Sequence, residues 1–303
     1  MEMEDNMQDL IRIGTRKSRL ALVQTNIVRQ KIEEAFPGIR VEICEMSTKG
    51  DELLDRTLTS FGGKGVFTQE LEEALLDERI DLAVHSAKDM PMDFPKGLGI
   101  GAALKRGPVE DVIVTKDGTK LVDLKPGSVV GTGSLRRELQ IRALNSLVVI
   151  RPIRGNVQTR LKKLTDGLYD AIVLASAGLE RLDMVSGGEF HFEKLSPDQC
   201  LPAAGQAILA VETKNGHLTE VMEALNDAEA MAMLSAERAY LKAIGGSCNA
   251  PAAALAKVEG TKLSMEVLFA QDAKHVKRTS GSIENGIQPE QAEALGQELA
   301  RKI

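Results

Sequence analysis

Ile11-Arg12-Ile13-Gly14-Thr15-Arg16-Lys17-Ser18-Arg19-Leu20-Ala21-Leu22-Val23, near the start of a 303-residue chain, is the stretch from which the fold can be read. Ile11 and Ile13 flank a polar residue, as a strand with one buried face requires, and Gly14-Thr15 interrupts the alternation. Leu20, Val23, Ile27 and Val28 then recur at helical spacing up to Phe36-Pro37-Gly38, where proline and glycine must stop a helix. The same order continues outward. Ile39, Val41 and Ile43 alternate as a second strand, Phe67, Leu71, Ala74 and Leu75 mark a second helix, and Leu82 to Val84 form a third strand. Strands alternating with helices predict an α/β fold with a largely parallel sheet.

Lys105-Arg106-Gly107-Pro108 reads as a hinge, after which the pattern restarts. Val112 to Val114, Val129 with Val130, Leu147 to Ile153 and Ala171 to Leu174 are strand-like, with helices over 134–145 and 156–166. From about residue 227 the order changes to a helix reaching Ile244, a loop, three short strands within 252–283 and a last helix from Pro289. Two hinged domains with mainly parallel sheets and a small α+β C-terminal domain are therefore expected.

Composition narrows the function. With 43% hydrophobic residues the chain can build real cores. Lys and Arg total 38 against 44 Asp and Glu, a net charge of -6, which argues against a nucleic-acid surface that must neutralise many phosphates. Any basic site must be local. The three cysteines, Cys44, Cys200 and Cys248, show neither a disulfide framework nor zinc-ligand spacing, and the histidines at 85, 191, 217 and 275 add none, so no metal is expected. The acidic start, Met1-Glu2-Met3-Glu4-Asp5-Asn6, has no apolar leader, and no run reaches the roughly 18 apolar residues of a membrane helix. A soluble cytoplasmic protein is expected, with no membrane or nucleic-acid partner.

Two places look alike. Ile13-Gly14-Thr15-Arg16-Lys17-Ser18 and Val130-Gly131-Thr132-Gly133-Ser134-Leu135-Arg136-Arg137 both run from a strand through Gly-Thr into a helix start bearing arginine. Free N–H groups at a helix N-terminus attract anions, and arginine adds bidentate carboxylate binding. Each half thus presents an anion cradle, and ligands of open α/β sheets settle at the carboxyl ends of strands. Arg154-Gly155-Asn156 adds a cation after another strand, with Asn156 as helix cap and Arg160 a turn further on. Gly62-Gly63-Lys64-Gly65 lacks the spacing of a nucleotide P-loop and reads as a loop with one cation.

Proton chemistry has one candidate. In Val84-His85-Ser86-Ala87-Lys88-Asp89-Met90-Pro91 the strand ends near His85, so Lys88 and Asp89 emerge where such folds build sites, although a surface ion pair between the two is the simpler reading of adjacency alone. Gly245-Gly246-Ser247-Cys248-Asn249-Ala250-Pro251 displays a thiol on a loop with no apolar run around it. Cys44 and Cys200 sit in packing contexts.

Val84 to Pro91, Thr132 to Arg137, Arg154-Gly155-Asn156-Val157, Leu201-Pro202-Ala203-Ala204-Gly205-Gln206 and the Gly-Gly-x-Cys loop together resemble the porphobilinogen deaminases, in one unbroken order from about residue 11 to the C-terminus. The resemblance implies a monomeric three-domain enzyme of tetrapyrrole biosynthesis. It joins four porphobilinogen molecules head to tail with loss of ammonia and releases hydroxymethylbilane; its partners are porphobilinogen and the oligopyrrole intermediates. Domains 1 and 2 of the family are similar to type II periplasmic binding proteins. The implied boundaries are 1–104 with 205–222, 105–204, and 223–303. A dipyrromethane cofactor is implied on Cys248 as a thioether, with Asp89 as the general acid-base that assists ammonia loss and stabilises the cationic azafulvene.

The resemblance further assigns Lys88, Thr132, Ser134, Arg136, Arg137 and Arg160 to the cofactor, and Arg16, Ser18, Gln24, Lys64, Arg154 and Arg181 to substrate and growing chain. Gly133 stands where many relatives have a second serine, and Asn249-Ala250 replaces the commoner Gln-Val. The chemistry suits an acidic chain with concentrated arginines, because each pyrrole brings two carboxylates. The competing expectation is a non-catalytic two-domain protein that binds small anions. Such a binder needs arginines and a hinge, but not Asp89 or Cys248.

Overall fold

A computed structural model of the chain describes residues 9–47, 68–185, 188–246, 250–270 and 275–303. The alternation around Ile11 and Ile13 forms β1 (Leu10–Arg16), with both isoleucines fully buried. Helix α1 (Arg19–Ala35) starts at Ser18, whose hydroxyl oxygen accepts the Ala21 N–H at 3.2 Å, and ends at Phe36 before the proline. Val28 and Ile32 lie one turn apart on its buried face, each contributing about 1.5–3 kcal/mol by leaving water. That face begins with Gln24 and Thr25, not with Leu20 and Val23, which are half-buried. The polar start has a structural reason: Gln24 meets a polar strand end.

The remaining elements of the first compact unit, which spans Met1–Lys105 and Leu209–Ala228, are β2 (Arg40–Met46), α2 (Gln69–Leu76), β3 (Leu82–Ser86), β4 (Leu98–Ala103), β10 (Leu209–Lys214) and α6 (Thr219–Leu225). The sheet order is β2-β1-β3-β10-β4. β1 pairs parallel with β2 and β3, while β10 is antiparallel to both β3 and β4. Both faces are covered. Val28 and Ile32 of α1 and Val221 of α6 pack with Ile11, Val84 and Val211, whereas Leu71 and Leu75 of α2 pack with Ile80 and Ala83.

The second unit, Arg106–Ile208 with Glu229–Ile303, repeats the plan. Its first sheet orders β7 (Val149–Arg151), β6 (Val129–Gly131), β8 (Ala171–Ala175), β5 (Asp111–Thr115) and β9 (His191–Leu195). β6 is parallel to β7 and β8, and β5 is antiparallel to β8 and β9. Helices α3 (Leu135–Leu144), α4 (Val157–Thr165) and α5 (Ser176–Arg181) connect these strands. A largely parallel sheet was expected; both sheets are mixed. The departure has a local cause: β5 and β10 are the strands that follow a chain crossing between units, so no crossover helix precedes them to enforce a parallel approach. The sheets are otherwise α/β, as the alternation predicts.

The C-terminal residues form the small α+β assembly that the change of pattern predicts. β11 (Ala252–Glu259), β12 (Lys262–Ala270) and β13 (Val276–Ile283) make an antiparallel sheet beside α7 (Ala228–Ala243) and α8 (Pro289–Arg301). The two helices approach so closely that a Cβ on Gly296 would lie 2.2 Å from the Ala236 carbonyl oxygen, so only glycine fits there. No helix among the described residues is long and apolar enough to cross a membrane.

One buried carboxylate joins this assembly to the first and last stretches of the 106–208 segment. Glu237, on α7, has no exposure and accepts from Arg106 Nη1 at 2.5 Å, Gly205 N at 2.6 Å and Ala256 N at 2.7 Å. Arg106 also donates through Nε to the Gln206 carbonyl at 3.0 Å. Removing one partner of such a pair strands the other charge away from water, which costs about 3–5 kcal/mol. Glu237→Ala is therefore expected to lower the denaturant midpoint by an amount worth about 3–5 kcal/mol, whereas Glu223→Ala, on the surface of α6, should leave it within about 0.5 kcal/mol; equilibrium unfolding in urea measures both.

Candidate functional site

Within the first unit the site residues gather at the carboxyl ends of β1 and β3. Arg16 is the last residue of β1 and Ser18 caps α1. β3 ends at Ser86 and passes into a single 3-10 turn, Ala87–Asp89, which Pro91 prevents from growing into a helix. Ala87 and Met90 are buried and anchor the turn, so Asp89 is held out to solvent with Lys88 half-buried before it. Gln24 reaches this end from α1: its amide donates to Ser86 Oγ at 2.9 Å. The polar start of the α1 face thus satisfies a polar strand end, since a buried amide must find a partner.

The glycines of the two Gly-Thr sequences act by packing. Gly14 lies inside β1, where a Cβ would stand 2.3 Å from Ile80 Cδ1. Gly131 closes β6, where a Cβ would meet the Tyr169 ring at 2.8 Å. Gly14 is expected to interrupt the strand alternation and Gly131 to lead from strand to helix; both are strand residues that let a neighbour approach. The helix starts behind them behave as expected, with Ser18 and Ser134 as caps. At Gly133 a Cβ would find only the Ile153 carbonyl oxygen, at 3.5 Å, so a serine would fit.

His85 is a buried strand residue, with Nε2 3.0 Å from Glu212 Oε2. Glu72 of α2 lies close enough for its charge to be felt. Burial, then the charge of Glu212, pushes the Glu72 carboxyl up against the opposing effects of Thr68 and His85.

In the second unit Thr132, Ser134, Arg136 and Arg137 form one connected group. Thr132 Oγ1 accepts the Ser134 N–H at 3.2 Å, and Ser134 Oγ accepts the Arg137 N–H at 3.4 Å. The two arginines do not project into solvent. Arg136 is 4% and Arg137 8% exposed, and both close on Asp111, which has no exposure at all. Arg136 Nη2 donates to Asp111 Oδ2 at 2.7 Å, and Nη1 to the Leu201 carbonyl at 2.7 Å. Arg137 donates to Asp111 Oδ1 through Nη2 at 2.7 Å and Nε at 3.1 Å, and through Nη1 to the Val173 carbonyl at 3.1 Å. Gln206 adds a third donor to Oδ1 at 3.1 Å.

Burial alone would push the Asp111 carboxyl up, but the charges of Arg136 and Arg137 outweigh it and hold the group well below the usual carboxylate range. The thiol of Cys200 donates to Asp111 Oδ2 at 3.4 Å; burial pushes it up to about 12, so it stays protonated and neutral. Two guanidiniums therefore share one carboxylate. Among the described residues Arg136 and Arg137 both form their ion pairs with Asp111, and the group is one negative charge short. A buried surplus cation is costly unless an anion joins it, which makes this donor set fit a carboxylate-bearing ligand.

Other arginines lie nearby in sequence but face different partners. Arg160, in the first turn of α4 behind the Asn156 cap, donates through Nε to the Gly155 carbonyl at 2.7 Å. Gly155 adopts a φ of 107°, a conformation that glycine takes without strain. The Arg154 carbonyl accepts Lys163 Nζ at 3.1 Å, while its own side chain is half-buried. Arg181 ends α5 and donates to the Ala207 carbonyl at 2.7 Å; burial lowers its guanidinium to about 10, so it remains charged at neutral pH. Cys248 and Lys64 lie outside the described residues. Sequence reasoning missed Asp111. Its only local signal is an acidic residue opening the apolar strand Val112-Ile113-Val114, and its partners stand 25 and 26 positions away.

Known proteins match this chain along most of its length. The family described as "Porphobilinogen deaminase, dipyromethane cofactor binding domain" matches residues 11–222, and "Porphobilinogen deaminase, C-terminal domain" matches 231–303. The porphobilinogen deaminase of Bordetella parapertussis is 44% identical over 294 residues, covering 96% of this chain and 91% of the relative. That of Chromobacterium violaceum is 43% identical over 297 residues, covering 97% and 94%. Among solved structures, the periplasmic aliphatic sulphonate binding protein SsuA from Escherichia coli superimposes with a TM-score of 0.42 at 16% identity, covering 78% of this chain and 70% of that one. Both family matches and relatives that align along nearly the whole chain lead to one assignment: the chain belongs to the porphobilinogen deaminase family.

Proposed function

We propose that this chain is a porphobilinogen deaminase that condenses four porphobilinogen molecules head to tail, releasing ammonia each time, and frees hydroxymethylbilane by hydrolysis. The observation that carries the reading is the buried pair Arg136 and Arg137 on the single carboxylate of Asp111, a group that lacks one anion in a family whose ligands are rich in carboxylates. Dipyrromethane, bound as a thioether at Cys248, supplies the primer to which pyrroles are added. Residues 1–104 with 205–222, 105–204 and 223–303 act as three domains, the last carrying Cys248. The enzyme works as a monomer in the cytoplasm, where a chain with three widely spaced cysteines keeps its thiols reduced.

Asp89 moves the protons. Its turn, anchored by Ala87 and Met90, presents an open carboxyl that protonates the aminomethyl nitrogen as it leaves as ammonia. The carbon–nitrogen bond breaks, a carbon–carbon bond forms to the attacked pyrrole, and the proton lost from that pyrrole carbon returns to Asp89. Its carboxylate also faces the positive charge that develops on the substrate between these steps. Lys88, Thr132, Ser134, Arg136, Arg137 and Arg160 bind the cofactor, and Arg16, Ser18, Gln24, Lys64, Arg154 and Arg181 bind substrate and growing chain. For Gln24, the Ser86 contact supports a role in shaping the strand end beside Asp89.

Intact mass of the purified chain is expected to show a dipyrromethane increment, mapped by peptide analysis to Cys248; Cys248→Ser should lose both increment and activity, and an adduct on Cys44 or Cys200 would overturn the assignment. Asp89→Asn is expected to keep the increment yet lower turnover by about 10²-fold or more, the usual contribution of a positioned proton-transfer group. Near-normal hydroxymethylbilane formation by that variant would show that another group moves the protons.

A further inference from the structure

The structure assigns Asp111 as a positioning residue for cofactor loading, the group that aims Arg136 and Arg137 and reduces them to a single surplus charge, so that this end of α3 takes one carboxylate of the ligand and not two. The inference rests on the deaminase reading above. Asp111 opens β5, whose backbone pairs with Ala175 of β8 on one side and Leu195 of β9 on the other, so the carboxylate is fixed by the sheet itself. Each of its oxygens receives one arginine: Oδ2 takes Arg136 and Oδ1 takes Arg137.

Arginine side chains have several free torsions and hold a direction only when something rigid holds them. Here the rigid element is Asp111, braced in turn by Gln206 at Oδ1 and the Cys200 thiol at Oδ2. Gln206 also donates to the Val109 carbonyl at 2.7 Å, which ties the bracing amide to the segment that leads into β5. The Leu201 and Val173 carbonyls complete the cage from two further segments. With Asp111 in place the cluster carries one unmatched positive charge; without it, two.

Attraction and positioning therefore predict opposite outcomes for Asp111→Asn. If the arginines act only as charge, the amide variant is more cationic and loads the cofactor as well or better. If Asp111 aims them, the variant loads it poorly, by about tenfold for one lost charge-assisted contact. A purely structural Asp111 would lower the melting temperature yet leave the loaded fraction of folded chains unchanged. Folded monomer isolated by gel filtration, with circular dichroism matching the parent, is to be analysed by intact mass for the parent, Asp111→Asn, Asp111→Glu and Arg136→Leu.

The expected result is a loaded fraction that falls about tenfold in Asp111→Asn and returns in part with Asp111→Glu, which restores the charge one carbon further out. A folded Asp111→Asn chain with full or raised loading overturns the inference. Where that variant yields no folded chain, Gln206→Leu gives the reading, because it removes a brace from Oδ1 and keeps all three charges: reduced loading supports the inference, and normal loading overturns it. A parent chain with no increment would sink the deaminase reading itself, and a fully loaded Arg136→Leu would remove that arginine from the cofactor. These failures are distinct from that of Asp111.

Discussion

A carboxylate sealed from water must be matched by cations and donors, and the second unit is organised around two such groups. Asp111 and Glu237 both have no exposure. Asp111 gathers α3, the middle of β8 at Val173 and the Cys200-Leu201 segment; Glu237, on α7, gathers Arg106, Gly205 and β11. Neither group can be exchanged for a neutral one without leaving buried arginines unmatched, so segments far apart in sequence are held to one arrangement. Hydrophobic burial makes these sheets stable. The two carboxylates decide which segments meet.

That division leaves a polar interior at the start of α3. Arg136 and Arg137 stand at the start of α3, and each directs hydrogen bonds inward, to Asp111 and to backbone carbonyls. The surplus charge that remains is what suits the cluster to an anion. Asp89 presents the opposite design: an exposed carboxyl on a short turn whose neighbours, Ala87 and Met90, supply the rigidity. An exposed carboxyl is open to proton exchange, whereas one sealed among arginines is fixed by its partners.

Local signals carried much of this in plain sight. The Asn156 cap, the stop at Phe36-Pro37 and the helix starts after Thr15 and Thr132 all follow from short-range backbone chemistry, and each stands where spacing put it. Glycines were harder. Gly14 and Gly131 read as steps between strand and helix, but they are strand positions kept bare for Ile80 and Tyr169, neighbours 66 and 38 positions along the chain. Nothing near them in sequence announces what they make room for.

By itself the sequence determined the α/β alternation, the second start after Lys105, the change of pattern near residue 227 and the motifs that mark the family, because periodicity, caps and breakers act over a few residues. Only the tertiary structure decided that β5 and β10 run antiparallel to their neighbours, that the α1 face opens with Gln24 to meet Ser86, and that Asp111 takes both arginines of α3. The reason is physical: strand direction and ion pairing depend on which distant segments share a low-dielectric interior, and that is set when the chain closes its core, not by the residues beside each group.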